Sequence, residues 1–140
     1  MKNIFEVLDE IEIASSKKEK MQVIEKNLSR TLVDVFELAY HPKYQWLITE
    51  MPERYKLPDV LPGASYSSLS KEIRKLYMFQ RGNPTAEKLT PQRRNEILLQ
   101  MLESLEFREA EVVLGIFSKD LGVRGLNYKF IKEAFPNLLP

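Results

Sequence analysis

Apolar residues recur at three- and four-residue spacing along almost the whole chain, a period that an α-helix turns into one buried face. Ile4, Phe5, Leu8 and Ile11 predict a first amphipathic helix over about 3–13. Ser16 with Glu19 three residues on is a capping-box signature, and it opens a helix carrying Met21, Ile24 and Leu28. Ser29 or Thr31 starts the next, whose Leu32, Val35, Phe36, Ala39 and Tyr40 make a continuous stripe. His41-Pro42 ends it, because the residue before a proline is pushed out of the α region. A Ser68 or Ser70 cap leads into a helix through Leu69, Ile73, Leu76 and Tyr77, with Gly82 as its C-terminal cap. Thr90-Pro91 starts another, which buries Ile97, Leu98, Met101, Leu102 and Leu105. Phe107 begins a stretch with Ala110, Val113, Leu114 and Phe117 on one side, and Asn127 caps a last helix through Phe130, Ile131 and Ala134. The expectation is all-α: a compact bundle of six to seven helices, with no strand pair.

One segment breaks the pattern. Pro42, Pro52, Pro58, Pro62 and Gly63 punctuate residues 42–67, which predicts a long excursion packed through Tyr44, Trp46, Leu47 and Ile48. No apolar run approaches the length of a membrane span, and the N-terminus alternates apolar with acidic residues, the reverse of a signal peptide. A soluble, cytoplasmic, monomeric protein is expected, with no membrane partner. Apolar residues at 44% and charged residues at 29% exclude a wholly disordered chain.

The catalytic repertoire is thin. There is no cysteine, so thiolate chemistry and cysteine zinc sites are excluded, and a single histidine, His41, rules out multi-histidine metal centres. No glycine-rich loop precedes Lys-Ser/Thr, and no serine elbow is present. Glu103, Glu106 and Glu109 lie three apart, a spacing open to metal ligation but met far more often on a solvated helix face. No catalytic residue and no metal ligand is assigned. Trp46 with Tyr40 and Tyr44 offers either a base-stacking platform or an anchor tying a loop to the core. Phe5–Leu8 and Leu76–Phe79 are read as core stripes before they are read as a motif for a partner clamp.

Charge is balanced overall, at +1, but unevenly distributed. Residues 68–94 hold seven basic and two acidic side chains, 95–114 one and five, and 115–140 four and two. Against that background, two glycine bends stand out. In Lys119-Asp120-Leu121-Gly122-Val123-Arg124-Gly125-Leu126-Asn127-Tyr128-Lys129, a helix ends, two glycines allow close backbone approach, and a new helix starts with amides free to meet an anion. Arg81-Gly82-Asn83-Pro84-Thr85 is a second bend of this kind. Both serve equally well as plain inter-helix turns. Two of them in one small helical domain favour contact with the phosphate backbone of a duplex, which positions a protein without reading sequence.

At these residues the chain resembles the N-terminal DNA-binding domain of ATP-dependent DNA ligases, in particular the phage enzymes of T-even type. The resemblance runs in order through Ile11–Asn27, Val35–Tyr40 with Tyr44–Pro52, Arg81–Leu89, and Glu111–Val123 continuing to Phe135–Pro140. It implies one all-α DNA-binding domain over residues 1–140, without adenylation or OB-fold domains. The binding would be independent of sequence, to duplex and preferably nicked DNA, through phosphate and minor-groove contacts in replication and repair. The implied DNA-binding residues are Arg81, Gly82, Asn83 and Thr85 on one run, and Gly122, Arg124, Gly125, Asn127 and Lys129 on the other, with Lys119 as electrostatic support. The chain lacks the family's Lys-x-Asp-Gly nucleophile. It is therefore expected to have no nick-sealing activity and no cofactor of its own, with ATP and magnesium confined to the catalytic domains of a parent ligase. An excised domain and a free-standing relative both fit this picture; a phage origin would place it in the host cytoplasm. The alternative is a phage protein-interaction module of the same fold that binds a sliding clamp or a host protein.

Overall fold

The computed structural model describes residues 2–48, 51–52 and 66–140, and in them the sequence periodicity becomes eight α-helices and one 3-10 helix. These are α1 (Ile4–Ile13), α2 (Lys17–Lys26), α3 (Arg30–Tyr40), α4 (Leu69–Glu72), the 3-10 helix (Ile73–Phe79), α5 (Pro84–Lys88), α6 (Pro91–Ser104), α7 (Phe107–Ser118) and α8 (Tyr128–Ala134). The all-α architecture is as expected, with more pieces than the six to seven counted from sequence. Pro58, Pro62 and Gly63 of the expected excursion lie outside the described residues.

Side-chain caps set most of the helix starts. Ser16, Ser29, Thr90 and Asn127 accept from Glu19, Leu32, Arg93 and Phe130 amides respectively, which satisfies donors that a helix's first turn leaves orphaned. Glu19 completes its cap at Ser15 rather than at Ser16, accepting from both the Ser15 amide and hydroxyl. Two further caps complete the set, the second at the helix start that the Arg81–Thr85 bend suggests. Glu106 accepts from the Arg108 and Glu109 amides and opens α7, and Asn83, followed by Pro84, opens the short α5.

The segment predicted as one helix from Ser68 to Tyr77 changes character at Ile73. Ile73, Leu76 and Phe79 are spaced by three, and a 3-10 helix of three residues per turn aligns them on one side, with Leu76 and Phe79 fully buried. Phe79 then joins residues 45–47. The Leu47 amide donates to the Phe79 carbonyl at 2.6 Å and the Arg81 amide to the Gln45 carbonyl at 2.7 Å, around an isolated antiparallel bridge between Trp46 and Gln80.

The core is centred on α3 and α7. Leu32, Val35, Phe36 and Ala39 on one face of α3 are wholly buried, as are Ala110, Val113 and Ile116 on α7. The other elements pack around this pair: α1 and α2 together with α1 against α7, α6 and α4 against α7, and α8 against α3. Val7 and Leu8, like Leu76 and Phe79, belong to this core, as the reading of both stretches as core stripes expects. The aromatics act as anchors. Tyr44 stacks on Trp46, which meets Phe117 edge-on at 5.2 Å, and Phe117 in turn meets Phe79 at 5.2 Å.

Arg94 of α6 does for residues 45–48 and 84–89 what no apolar contact can. Its guanidinium donates to the carbonyls of Leu47, Ala86 and Leu89, tying α5 and the bridged segment to α6. Arg94→Met keeps the stem and orphans three acceptors; a loss of about 2 kcal/mol in urea-monitored unfolding free energy is expected. Lys88→Met, on an exposed neighbour, is the control and should change stability by less than about 0.5 kcal/mol.

Candidate nucleic-acid interface

The first bend is built by Gly82 and Asn83. Gly82 has φ +88°, a conformation open to glycine at little cost, and a Cβ there would meet nothing within 4 Å. Its amide is not free: it donates to the Glu87 carboxylate at 2.9 Å. The Thr85 and Ala86 amides go to Asn83 Oδ1, and the Arg81 amide to Gln45. What the bend turns to solvent is therefore side chain: the Arg81 guanidinium, the Thr85 hydroxyl and, one turn on, Lys88.

The second bend is pinned to the C-terminal end of α3. Lys119 ends α7 in the left-handed region at φ 60°, the one non-glycine with positive φ among the described residues. Its ammonium turns inward and donates to the Leu38 and His41 carbonyls at 3.1 and 2.8 Å, two of the acceptors that α3 leaves open at its end. Burial pushes the Lys119 ammonium down to about 8. Tyr40 adds two bonds, donating to the Leu126 carbonyl and accepting from the Leu121 amide, and burial raises its phenol. Upstream, Gly115 lets the chain fold back on α7, since a Cβ would stand 3.2 Å from both the Asp120 carbonyl and Leu121 Cα. His41 ends α3 as expected and accepts the Lys43 amide on Nδ1.

The two limbs of this bend face different surroundings. Gly122 lines a cavity of about 170 Å³ with Asp9, Glu12, Arg108 and Glu111. Arg108 there pairs with both Asp9 and Glu111. The Gly122 amide donates to Asp120 and the Arg124 amide to Glu12, so the amides expected to meet an anion are already held by carboxylates. Gly125, Asn127 and Lys129, by contrast, line a cavity of about 260 Å³ with Lys17, Lys20 and Glu133. Lys20 is nine-tenths buried and donates to the Ile11 carbonyl at 2.6 Å. Gly125, at φ +79°, makes room for it: a Cβ there would stand 3.1 Å from Lys20 Cε. Lys17 pairs with Glu133, and that hydrogen bond holds the Glu133 carboxyl below its ordinary value.

The structure thus gathers Gly125, Asn127 and Lys129 in one place, sets Gly122 on an acidic side, and turns Lys119 inward. Arg81 to Thr85 sit on a separate bend, held by α5 and residues 45–47. Reading the sequence alone missed Lys17, Lys20 and the two hydrogen bonds of Tyr40; the three-residue spacing of Lys17 and Lys20 on α2 was the available signal for the first two. It also placed Glu103, Glu106 and Glu109 on a solvated face, whereas Glu106 caps α7 and Glu109, its carboxyl raised by burial, accepts the Leu69 amide. No group of three or more metal-ligating side chains is found among the described residues, nor is any helix there long and apolar enough to cross a membrane.

Residues 7–123 match the model of a family described as a family of unknown function (DUF6433). No curated protein matches the chain. Solved structures share its fold, two of them as follows. One, named Pmar-Lig_PreS3, is matched over 100% of this chain and 32% of its own, with a TM-score of 0.70 and 19% identity. The other, named Pmar-Lig_Pre, is matched over 99% of this chain and 31% of its own, with a TM-score of 0.69 and 19% identity. The chain spans about a third of the length of these two proteins, and at this identity the likeness is one of fold.

The Lys119 contact carries its own pH signature. Between about 8 and the ordinary lysine value of 10.5, the unfolded chain holds a proton that the folded chain has released, so stability rises with pH across that window. Urea unfolding from pH 7.5 to 10.5 should show the parent chain gaining stability relative to Lys119→Met; a constant difference would contradict the burial of the ammonium.

Proposed function

The chain belongs to the DUF6433 family, and we propose that it is a ligase-type DNA-binding domain that grips duplex DNA, nicked duplex in particular, without reading its sequence. The observation that carries this reading is the fit of the entire chain onto about a third of two structures whose names abbreviate ligase. That is the proportion expected of one domain in a larger enzyme. The chemistry of the bends supports it. Arg81 and Thr85 on one bend, and Arg124 and Lys129 on the other, are exposed. Among the described residues, no carboxylate lies within ion-pair distance of Arg81, Arg124 or Lys129.

The mode of grip differs from the one the sequence suggests. Glu87, Asp120 and Glu12 occupy bend amides and hold the backbone in shape, so phosphates are left to the side-chain cations. Such contacts neutralise phosphates and release counterions, which makes the affinity salt-dependent and uniform across sequences. The domain contributes position and not chemistry, because the lysine nucleophile that seals nicks in the ligases it resembles has no counterpart in these 140 residues.

Fluorescence anisotropy of labelled nicked duplex at two salt concentrations tests this. For two to four phosphate contacts, affinity should fall about tenfold to a hundredfold between about 50 and 200 mM salt. Arg124→Ala combined with Lys129→Ala should weaken every duplex alike and flatten the log–log salt slope by about 2. Salt-indifferent affinity, or no binding at low salt, would sink the proposal.

A further inference from the structure

We infer that the cavity between α2 and the start of α8 is a receptor for one phosphate group of a nucleic-acid backbone, walled by Lys17, Lys20 and Lys129, and that Glu133 is the internal anion the phosphate replaces. The phosphate chemistry rests on the cavity alone; its source rests on the DNA reading above.

Lys20 is the strongest element. It is nine-tenths buried, yet among the described residues only one of its three N–H bonds has a partner, the Ile11 carbonyl at 2.6 Å, and no carboxylate of theirs lies within ion-pair distance. A buried ammonium with one neutral acceptor lacks the anion that usually accompanies such a charge. It lines an open cavity of about 260 Å³, room for a phosphate group with its waters. The fold also makes way for it, because Gly125 takes a positive φ and leaves clear the 3.1 Å approach of the Lys20 stem that a Cβ would crowd. Asn127 uses its Oδ1 to cap α8, which leaves its Nδ2 group as a further donor.

Charge points to a phosphate. Three lysines face one carboxylate, so the cavity carries an excess of two positive charges. Glu133 pairs with Lys17 at the surface, where both side chains are well exposed, and an ion pair of that kind exchanges readily for a better-fitting anion. The neighbouring cavity, with Asp9, Glu12 and Glu111 against Arg108, repels anions and gives the bend one binding side.

The test is titration of the 15N-labelled full chain at constant ionic strength, first with sodium phosphate and then with a short nicked duplex. Both should shift the Gly125, Asn127 and Lys129 amides saturably and leave Gly82 unmoved by phosphate. Lys17→Ala and Lys129→Ala, both at exposed positions, should each weaken phosphate binding by about tenfold, the loss of one hydrogen bond to a charged group. Glu133→Gln should strengthen it severalfold. Shifts that fail to saturate, that chloride reproduces, or that survive in both lysine variants would overturn the inference. Duplex that binds without moving these amides would overturn the cavity and leave the DNA reading standing. Saturable phosphate binding without duplex binding would support the cavity and overturn the DNA reading.

Discussion

The packing of α3 against α7 is the constraint on which everything else rests. Both helices bury an uninterrupted apolar face at the centre of the molecule, and both end on the same side, where Lys119 closes α7 over the last carbonyls of α3. Burying that apolar surface supplies the driving force, but it leaves the α3 carbonyls without helical partners in a place that water reaches poorly. The Lys119 ammonium and the Tyr40 hydroxyl satisfy the polar groups at this junction. The shape of the second bend is thereby a consequence of how two core helices terminate.

Cations in this protein do two kinds of work, and net charge does not distinguish them. Arg94, Lys119, Lys20 and Lys132 donate to backbone carbonyls, where elements would otherwise meet with unsatisfied acceptors. Arg81, Arg124 and Lys129 face solvent. The basic stretch 68–94 illustrates the difference: Arg94 is structural, Lys75 and Arg93 pair with Glu72 and Glu96, and Arg81 is left available. Lys20 stands in both groups, since it also lines the basic cavity, and the long-range attraction of a polyanion sums over all of these charges.

The acidic side chains divide in a similar way. Glu106 and Glu109 accept from backbone amides at the ends of α7 and α4, while Glu87, Asp120 and Glu12 occupy bend amides. A glycine bend read as rich in free donors is therefore saturated from within at several positions. Its anion-binding capacity passes to neighbouring lysines, and the acidic and basic cavities on either side of the second bend make its two limbs unequal.

The helices were legible because their signals are local. A period of three to four and a capping residue act within one or two turns, so α1, α2, α3, α6, α7 and α8 follow from residues adjacent in the chain. The stretch from Ser68 to Tyr77 was legible as helical, but the 3-10 turn of its second half was not, since that choice depends on Ile73, Leu76 and Phe79 all facing one core. Tyr40 read as one more apolar residue, and Lys119 as surface charge, because their partners lie about eighty residues away. The composition and spacing of side chains determined an all-α chain with two glycine bends. Only the tertiary structure decided which amides, carboxylates and ammonium groups meet at those bends, because a polar group's partner is set by three-dimensional proximity, which no local period encodes.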